Sequence, residues 1–244
     1  MKRPAAILAV LTAFLLLPGC HRTGQKTDPA SVLSFWEGTP LLEEDYNASE
    51  ERFADFAELA VSAPEEEALA AMDGLFDRLR EEGDEVTYYI YAAWMDAAFY
   101  DILSPCRNEA LFARAVDRME SDGILPPADC VPYREKCRWM ALNRPGEQAA
   151  VPEADPEGRN TLVLVLDLSC PSCRESLRHL SAMEEWADAR HLALCCGYGP
   201  VPDIEGWEYR KLEDAAAYFD IHMTPCYYII DGDGVVLHPY APVN

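Results

Sequence analysis

Cys170-Pro171-Ser172-Cys173 constrains this chain more than any other four residues in it. Residues 161–168, just before it, are β-rich and apolar on both faces, as a central strand is. Residues 171–190 read as a helix, with Leu177, Leu180, Met183, Glu184 and Trp186 giving a partly apolar face. Two cysteines separated by two residues at a helix start can close a small disulfide ring. The first helical turn leaves backbone N–H groups free and carries the positive end of the dipole, and both favour a thiolate at Cys170. Pro171 suits the first helical position and stiffens the ring. Cys170 is therefore the expected nucleophile. Cys173, expected to be the more buried, resolves the mixed species and closes a Cys170–Cys173 redox disulfide.

About fifty residues downstream, Met223-Thr224-Pro225 leads into a second apolar run at 226–230. Residues 191–196 read as a short strand and 208–219 as a second helix. Residues 226–230 and 235–237 read as a hairpin around Asp231-Gly232-Asp233-Gly234. The expected order is β-α-β-α-β-β. Cys226 follows Pro225 directly and has three readings: a third redox thiol, a metal ligand or an inward-packed side chain. Packing is the expectation for a small apolar side chain. A metal set of Cys170, Cys173, Cys226 and His222 lacks the usual paired spacing, so no metal and no cofactor is expected. Cys195 and Cys196, adjacent on a strand, point to opposite faces; two buried thiols is the expected reading, a strained vicinal disulfide the other. Asp167 is either a proton acceptor for the thiols or a solvated carboxylate at a strand end, and Arg174 adds modest positive potential.

The first half has a different period. Residues 31–143 read as helices. Asn47 with Glu50 fits a capping box ahead of Phe53, Phe56, Ala57 and Ala60. Pro64 and three glutamates open a second helix that Gly83 ends. Tyr88, Tyr91, Ala92, Met95 and Phe99 fall at helical spacing, and Asn108 caps a fourth helix carrying Leu111, Phe112, Ala115, Val116 and Met119. A fifth carries Tyr133, Cys137 and Met140 and stops at Asn143-Arg144-Pro145-Gly146. These stripes are bundle core. On one helix Cys130 and Cys137 would stand roughly 10 Å apart, too far to bridge. Either Cys106 pairs with one of them, or all three are buried thiols. The expected class is an α+β two-domain chain: a helical domain at 31–146, a proline-containing acidic linker at 147–159, and a shortened α/β domain at 160–244.

The start of the chain reads as an export signal. Lys2 and Arg3 precede an apolar stretch over 5–17, shorter than the roughly 20 residues of a membrane-spanning helix. Leu17-Pro18-Gly19-Cys20 is similar to a bacterial lipoprotein cleavage site, with Cys20 lipidated as the first mature residue. An ordinary cleaved signal, or an uncleaved anchor, is the alternative. Residues 21–30 then form a tether. Export places the nine cysteines in a disulfide-permissive compartment. The formal net charge of −23, from 43 acidic and 20 basic side chains, repels nucleic acid and anionic headgroups. Membrane attachment is thus expected through lipid, and no nucleic-acid partner is expected.

Cys170-Pro171-Ser172-Cys173, Thr224-Pro225 and the strand after the proline resemble the thioredoxin superfamily, nearest its TlpA-like branch of exported thiol–disulfide proteins, over about residues 160–240. The resemblance implies a cis-proline at Pro225 across from the dithiol, with the Thr224 backbone meeting an extended substrate. It also implies a bacterial envelope location facing the periplasm, exported protein thiols or disulfides as substrates, and a membrane electron-relay protein as partner. Ser34-Phe35-Trp36, Ser104-Pro105-Cys106-Arg107-Asn108-Glu109 and Asn143-Arg144-Pro145-Gly146 resemble the helical domain that precedes such modules in envelope lipoproteins. The chain departs from the family in three ways. Residues 147–160 are short for the usual leading hairpin, the chain end cannot form the usual closing helix, and Ser169 stands where Trp is common. A trimmed sheet needs cover, and the helical domain is the expected cover. The expected function is thiol–disulfide oxidoreduction. The alternative is a non-catalytic binding or scaffold lipoprotein with a structural disulfide.

Overall fold

The computed structural model describes residues 31–151, 155–183 and 186–242, with no side-chain account of 239–242. The export signal, Cys20 and the 21–30 tether lie outside the described residues. Five helices follow one another: α1 (Tyr46–Ser62), α2 (Glu65–Glu82), α3 (Glu85–Met95), α4 (Glu109–Asp122) and α5 (Pro127–Met140). Their ends are set locally. Asp84 Oδ1 accepts from the Thr87 amide at 2.7 Å, and Asn108 Oδ1 from the Leu111 amide at 3.0 Å. α2 closes on Gly83, whose N–H reaches the Leu79 carbonyl; a Cβ there would lie 2.5 Å from that oxygen. α1 starts earlier than the Asn47–Glu50 capping box predicts. Asp45 is its cap and accepts from the Asn47 amide at 3.0 Å, so Asn47 is already a donor within the first turn.

The faces turned inward are those expected from the spacing. Phe53, Phe56, Tyr88, Tyr91, Phe99, Phe112 and Met119 are buried in one core. Phe53 alone has ring contacts with Phe56, Tyr91, Trp94 and Phe99. α3 does not stop at Met95 but widens into one π turn, Asp96–Tyr100, closed by the Asp101 amide on the Asp96 carbonyl. Cys106 and Cys130 are buried and Cys137 half-buried, all as free thiols, so the bridge from Cys106 does not form.

The second half is a five-stranded sheet, β1 (Thr161–Asp167), β2 (Arg190–Cys196), β3 (Trp207–Lys211), β4 (Cys226–Ile230) and β5 (Val236–Pro242), in the order β3-β2-β1-β4-β5. β1, β2 and β3 run parallel; β4 is antiparallel to β1, and β5 to β4. The central strand is β1, as its unbroken apolar run requires. α6 (Pro171–Ser181) is shorter than the predicted 171–190 helix, because the chain must turn back to begin β2 at Arg190.

The second helix predicted at 208–219 is not there. Trp207, Glu208, Tyr209, Arg210 and Lys211 form β3 instead, with Trp207 buried, Tyr209 half-buried, and Glu208 and Arg210 exposed. That is the alternation of an edge strand. Arg190 and Glu208 pair across β2 and β3 at 2.6 Å. The alanine run gives only the short 3-10 turn Ala215–Ala217.

Side chains alternate to the two faces of the sheet. Leu162, Leu164, Leu166, Ala193, Cys195 and Ile229 pack with Leu177 and Leu180 of α6. Val163, Val165, Leu194, Cys226, Tyr228 and Ile230 face the other way. Ala149, Val151, Leu212 and Phe219 cover that second face, with Ile102 from the helical half. The cover is thus built mainly from irregular segments, and the helical half contributes through one side chain. Residues 146–149 run along β5: the Gly146 amide reaches the Val236 carbonyl at 2.8 Å, Val236 returns the bond to Glu147, and the Ala149 amide reaches Gly234. Residues expected to be linker are therefore paired to the sheet.

The helical half also grips the loop before β4. Trp139 Nε1 and Arg138 donate to the Ala216 carbonyl, Arg138 also to that of Ala217, and the Tyr100 hydroxyl donates to the Asp220 carboxylate. The described residues form one compact unit. No described helix is long and apolar enough to cross a membrane.

Candidate active site

β1 ends at Asp167, and a two-residue turn delivers Cys170 to the N-cap position of α6. The turn is held by Asp167, whose Oδ1 accepts from both the amide and the hydroxyl of Ser169 at 2.7 Å. Pro171 occupies the first helical position. Cys170 and Cys173 are free thiols, the first half-buried and the second fully buried. Cys170 Sγ lies 2.9 Å from the Ser172 hydroxyl. That hydroxyl, aided by the Cys173 amide and thiol and the Ser172 amide, holds the Cys170 thiol below its ordinary range against a smaller opposing effect of burial. Burial pushes the Cys173 thiol up to about 12. The free backbone N–H groups of the first turn, expected from the sequence, contribute through the Ser172 and Cys173 amides, and the side chain of Ser172, between the cysteines, contributes more.

Met223-Thr224-Pro225 lies beside this pair. The Thr224–Pro225 peptide bond is cis. Thr224 donates its hydroxyl to the Ile221 carbonyl at 3.1 Å, and its side chain acts on Cys173, partly offsetting the effect of burial there. Helix start and proline loop thus influence each other through Thr224 and the buried thiol.

The other candidates are placed as follows. Cys226 is fully buried on the face of the sheet opposite Cys173, so it packs inward and is separated from the dithiol by the sheet. Asp167 turns its Oδ1 to Ser169, and Gly197 closes on the same oxygen: a Cβ there would come within 2.1 Å of it. Arg174 is exposed on α6, and His222 is exposed in the loop before Thr224. Cys195 and Cys196 are two buried thiols, with no vicinal disulfide. Among the described residues no cluster of three His, Cys, Asp or Glu side chains could hold a metal ion.

Two features escaped the sequence reading. Gly197 and Gly199 bring the turn after β2 against Asp167 and Leu168, and both take positive φ (+71° and +154°). The Gly197-Tyr198-Gly199-Pro200 cluster after a strand was the available signal. The second is Asp220, buried and bound by Tyr100. No local pattern marks a contact over that sequence distance.

The raised thiols make the reduced protein sensitive to alkali. Unfolded cysteines titrate near 8.5, whereas burial holds Cys173 near 12 and Cys137 and Cys195 near 11 in the fold. Between these values the unfolded chain has lost protons that the folded chain keeps, so stability falls as pH rises. Below about pH 8 all three thiols are protonated in both states and the full stability is present. Under reductant, the Tm at pH 10 is expected to lie about 5 °C or more below that at pH 7. Thermal melts at the two pH values check this, and an unchanged or higher Tm would contradict the burial of these thiols.

No family model and no curated protein matches the chain. Among solved structures, the C-terminal domain of an uncharacterized protein from Bacteroides fragilis overlaps 40% of this chain and 89% of its own, at 17% identity and a TM-score of 0.30. A thioredoxin-like protein from Bacteroides caccae is similar over 87% of both chains, at 16% identity and a TM-score of 0.66. That likeness is one of fold: the chain is a helical region followed by a thioredoxin-like sheet and helix.

Proposed function

We propose that this chain is a thiol–disulfide oxidoreductase of the bacterial cell envelope, anchored through lipid on Cys20 and acting on exported proteins. The observation that carries the reading is the asymmetry of the dithiol. Cys170 is partly exposed with a lowered pKa, while Cys173 is buried with a raised one. A nucleophile must be accessible and ionised; a resolving thiol must stay protonated until the mixed disulfide forms.

In the proposed step the Cys170 thiolate attacks one sulfur of a partner disulfide. A Cys170–partner S–S bond forms, the partner's own S–S bond breaks, and its second sulfur leaves as a thiolate that takes a proton from water. Cys173 then gives up its proton and attacks Cys170 Sγ, releasing the first partner sulfur as a thiol. Two electrons pass to the partner and a Cys170–Cys173 disulfide remains. The reverse sequence oxidises a partner dithiol. Repeated reduction needs a dithiol donor, for which a membrane electron-relay protein is the proposed source. Thr224 contributes its backbone to an extended substrate beside Pro225. The scaffold alternative needs a shielded structural disulfide, and the exposure of Cys170 favours exchange over it.

The test is a trapping experiment with Cys173→Ser. Incubated with a disulfide-bonded peptide, this variant is expected to accumulate a stable mixed disulfide at Cys170, which the unmodified protein clears. Mass spectrometry that finds no adduct at Cys170 would refute the proposed exchange.

A further inference from the structure

A cleft of about 680 Å³ opens between the cis-proline loop and the helical half. Thr224, Pro225, Met223 and Asp220 form one wall. The other comes from the π turn after α3 and the residues that follow it, with Lys136 of α5. Its position is chemical as well as geometric. Thr224, which lines it, acts on the buried Cys173 thiol, and Cys173 and Cys170 act on each other two residues apart at the start of α6. A chain segment whose cysteine reacts at Cys170 and whose backbone runs past Thr224 therefore continues toward this space. The volume suits several side chains and exceeds what a small ion needs.

The lining selects among segments. Leu103 is 69% exposed, and it stands with Ile102, Ala97, Met223 and Pro225 in the cleft, an apolar stretch with acidic groups beside it. The charged groups do not cancel. Lys136 is used up by Asp96, reaching its two oxygens at 2.6 and 2.7 Å, while its ammonium sits over the Tyr100 ring. Asp220 is fixed by the Tyr100 hydroxyl and the His222 amide, and Asp101 accepts from the Leu103 amide at 2.8 Å. Asp101 and Asp220 add acidic character to the cleft, in a chain whose formal net charge is −23.

We infer that this cleft is a specificity subsite for a partner polypeptide, seating the residues next to its reacting cysteine and preferring a segment that pairs an apolar side chain with a basic one. The inference rests on the thiol-exchange reading above and assigns the helical half its part in it. The apolar side chain lies against Leu103 and Met223; the lysine or arginine turns to Asp101. The charge term acts mostly on the rate of encounter and is screened by salt.

The test uses the reduced full-length protein and synthetic peptide disulfides that differ only beside the cysteine: Leu-Lys, Leu-Glu and Gly-Lys. The neutral 2-hydroxyethyl disulfide serves as a substrate without flanks. Second-order exchange rates are read at low salt and at about 0.5 M salt, where screening is nearly complete. The Leu-Lys peptide is expected to react about tenfold faster than the Leu-Glu peptide at low salt, with the gap closing at high salt. It should also outpace the Gly-Lys peptide by a few-fold at both salts. Asp101→Lys is expected to cut the Lys-over-Glu ratio about tenfold. If the flank-free disulfide exchanges but the three peptides react alike, the subsite is overturned and thiol exchange stands. A Lys preference untouched by Asp101→Lys likewise overturns the subsite, by assigning the preference to the whole acidic surface. No exchange with any disulfide overturns the thiol reading itself. Should the variant fail to fold, the salt dependence and the Leu-to-Gly comparison in the unmodified protein decide the matter.

Discussion

Cys170→Ser is expected to lower disulfide exchange by about a thousandfold or more, because a single nucleophile carries the covalent step. No other described cysteine can replace it. Cys106, Cys130, Cys173, Cys195, Cys196 and Cys226 are buried. Cys137 is half-buried, but burial pushes its thiol up to about 11, leaving only about one part in ten thousand ionised at pH 7. Ser172 cannot compensate, since its hydroxyl acts by holding the Cys170 sulfur. The measurement pairs two readouts on the reduced protein: exchange with a disulfide-bonded peptide, and the rate of iodoacetamide labelling. The unmodified protein should show one fast thiol among the described residues, and the variant none. Exchange that survives within tenfold would move the nucleophile to another cysteine. Circular dichroism separates this from misfolding, because a half-exposed cysteine to serine change removes little packing.

Phe53→Ala is expected to cost about 3–5 kcal/mol of stability. Phe53 is 3% exposed and its ring meets four others, Phe56, Tyr91, Trp94 and Phe99, at centroid separations between 5.6 and 6.2 Å. Three of those partners belong to α3 and its π turn, so the truncation opens a void between α1 and the segment that carries Asp96 and Tyr100. The surrounding rings are themselves wedged against Trp36 and Phe35 and have little room to collapse into the gap. Urea denaturation followed by far-ultraviolet circular dichroism gives the free-energy difference. A loss below 1 kcal/mol would mean that the aromatic cluster is loosely packed. If the helical half forms a wall of the cleft, the same variant should also weaken discrimination among flanked peptides.

Legibility in the sequence followed how local each cause is. Helix faces came through because their periodicity is written in neighbouring residues: every position assigned to the stripe of α4 is buried. The dithiol, its proline and the central strand came through for the same reason. The 208–219 segment was misread because Glu213, Asp214 and three alanines favour a helix, whereas pairing with β2 decides the fate of Trp207 and Tyr209. β pairing is a tertiary property, and it overrides propensity. The cis-proline loop was legible as a motif, but its neighbours were not. Tyr100 and Asp220 meet across 120 positions, and nothing near either one announces the other. The cover over the second sheet face escaped for a related reason: Ala149, Val151 and Phe219 are scattered, and each looks like loop in its own context.

The pairing of residues 146–149 with β5 has a consequence for how the molecule behaves at high density. An open sheet edge is a template for another copy's strand. Here the outer rim of β5 is occupied at Val236 by the chain itself. The opposite rim, β3, carries Glu208, Arg210 and Lys211 outward, a fringe of mixed charge that discourages a flat apolar strand from annealing. Crowded copies would thus meet few places where their sheets could zip together.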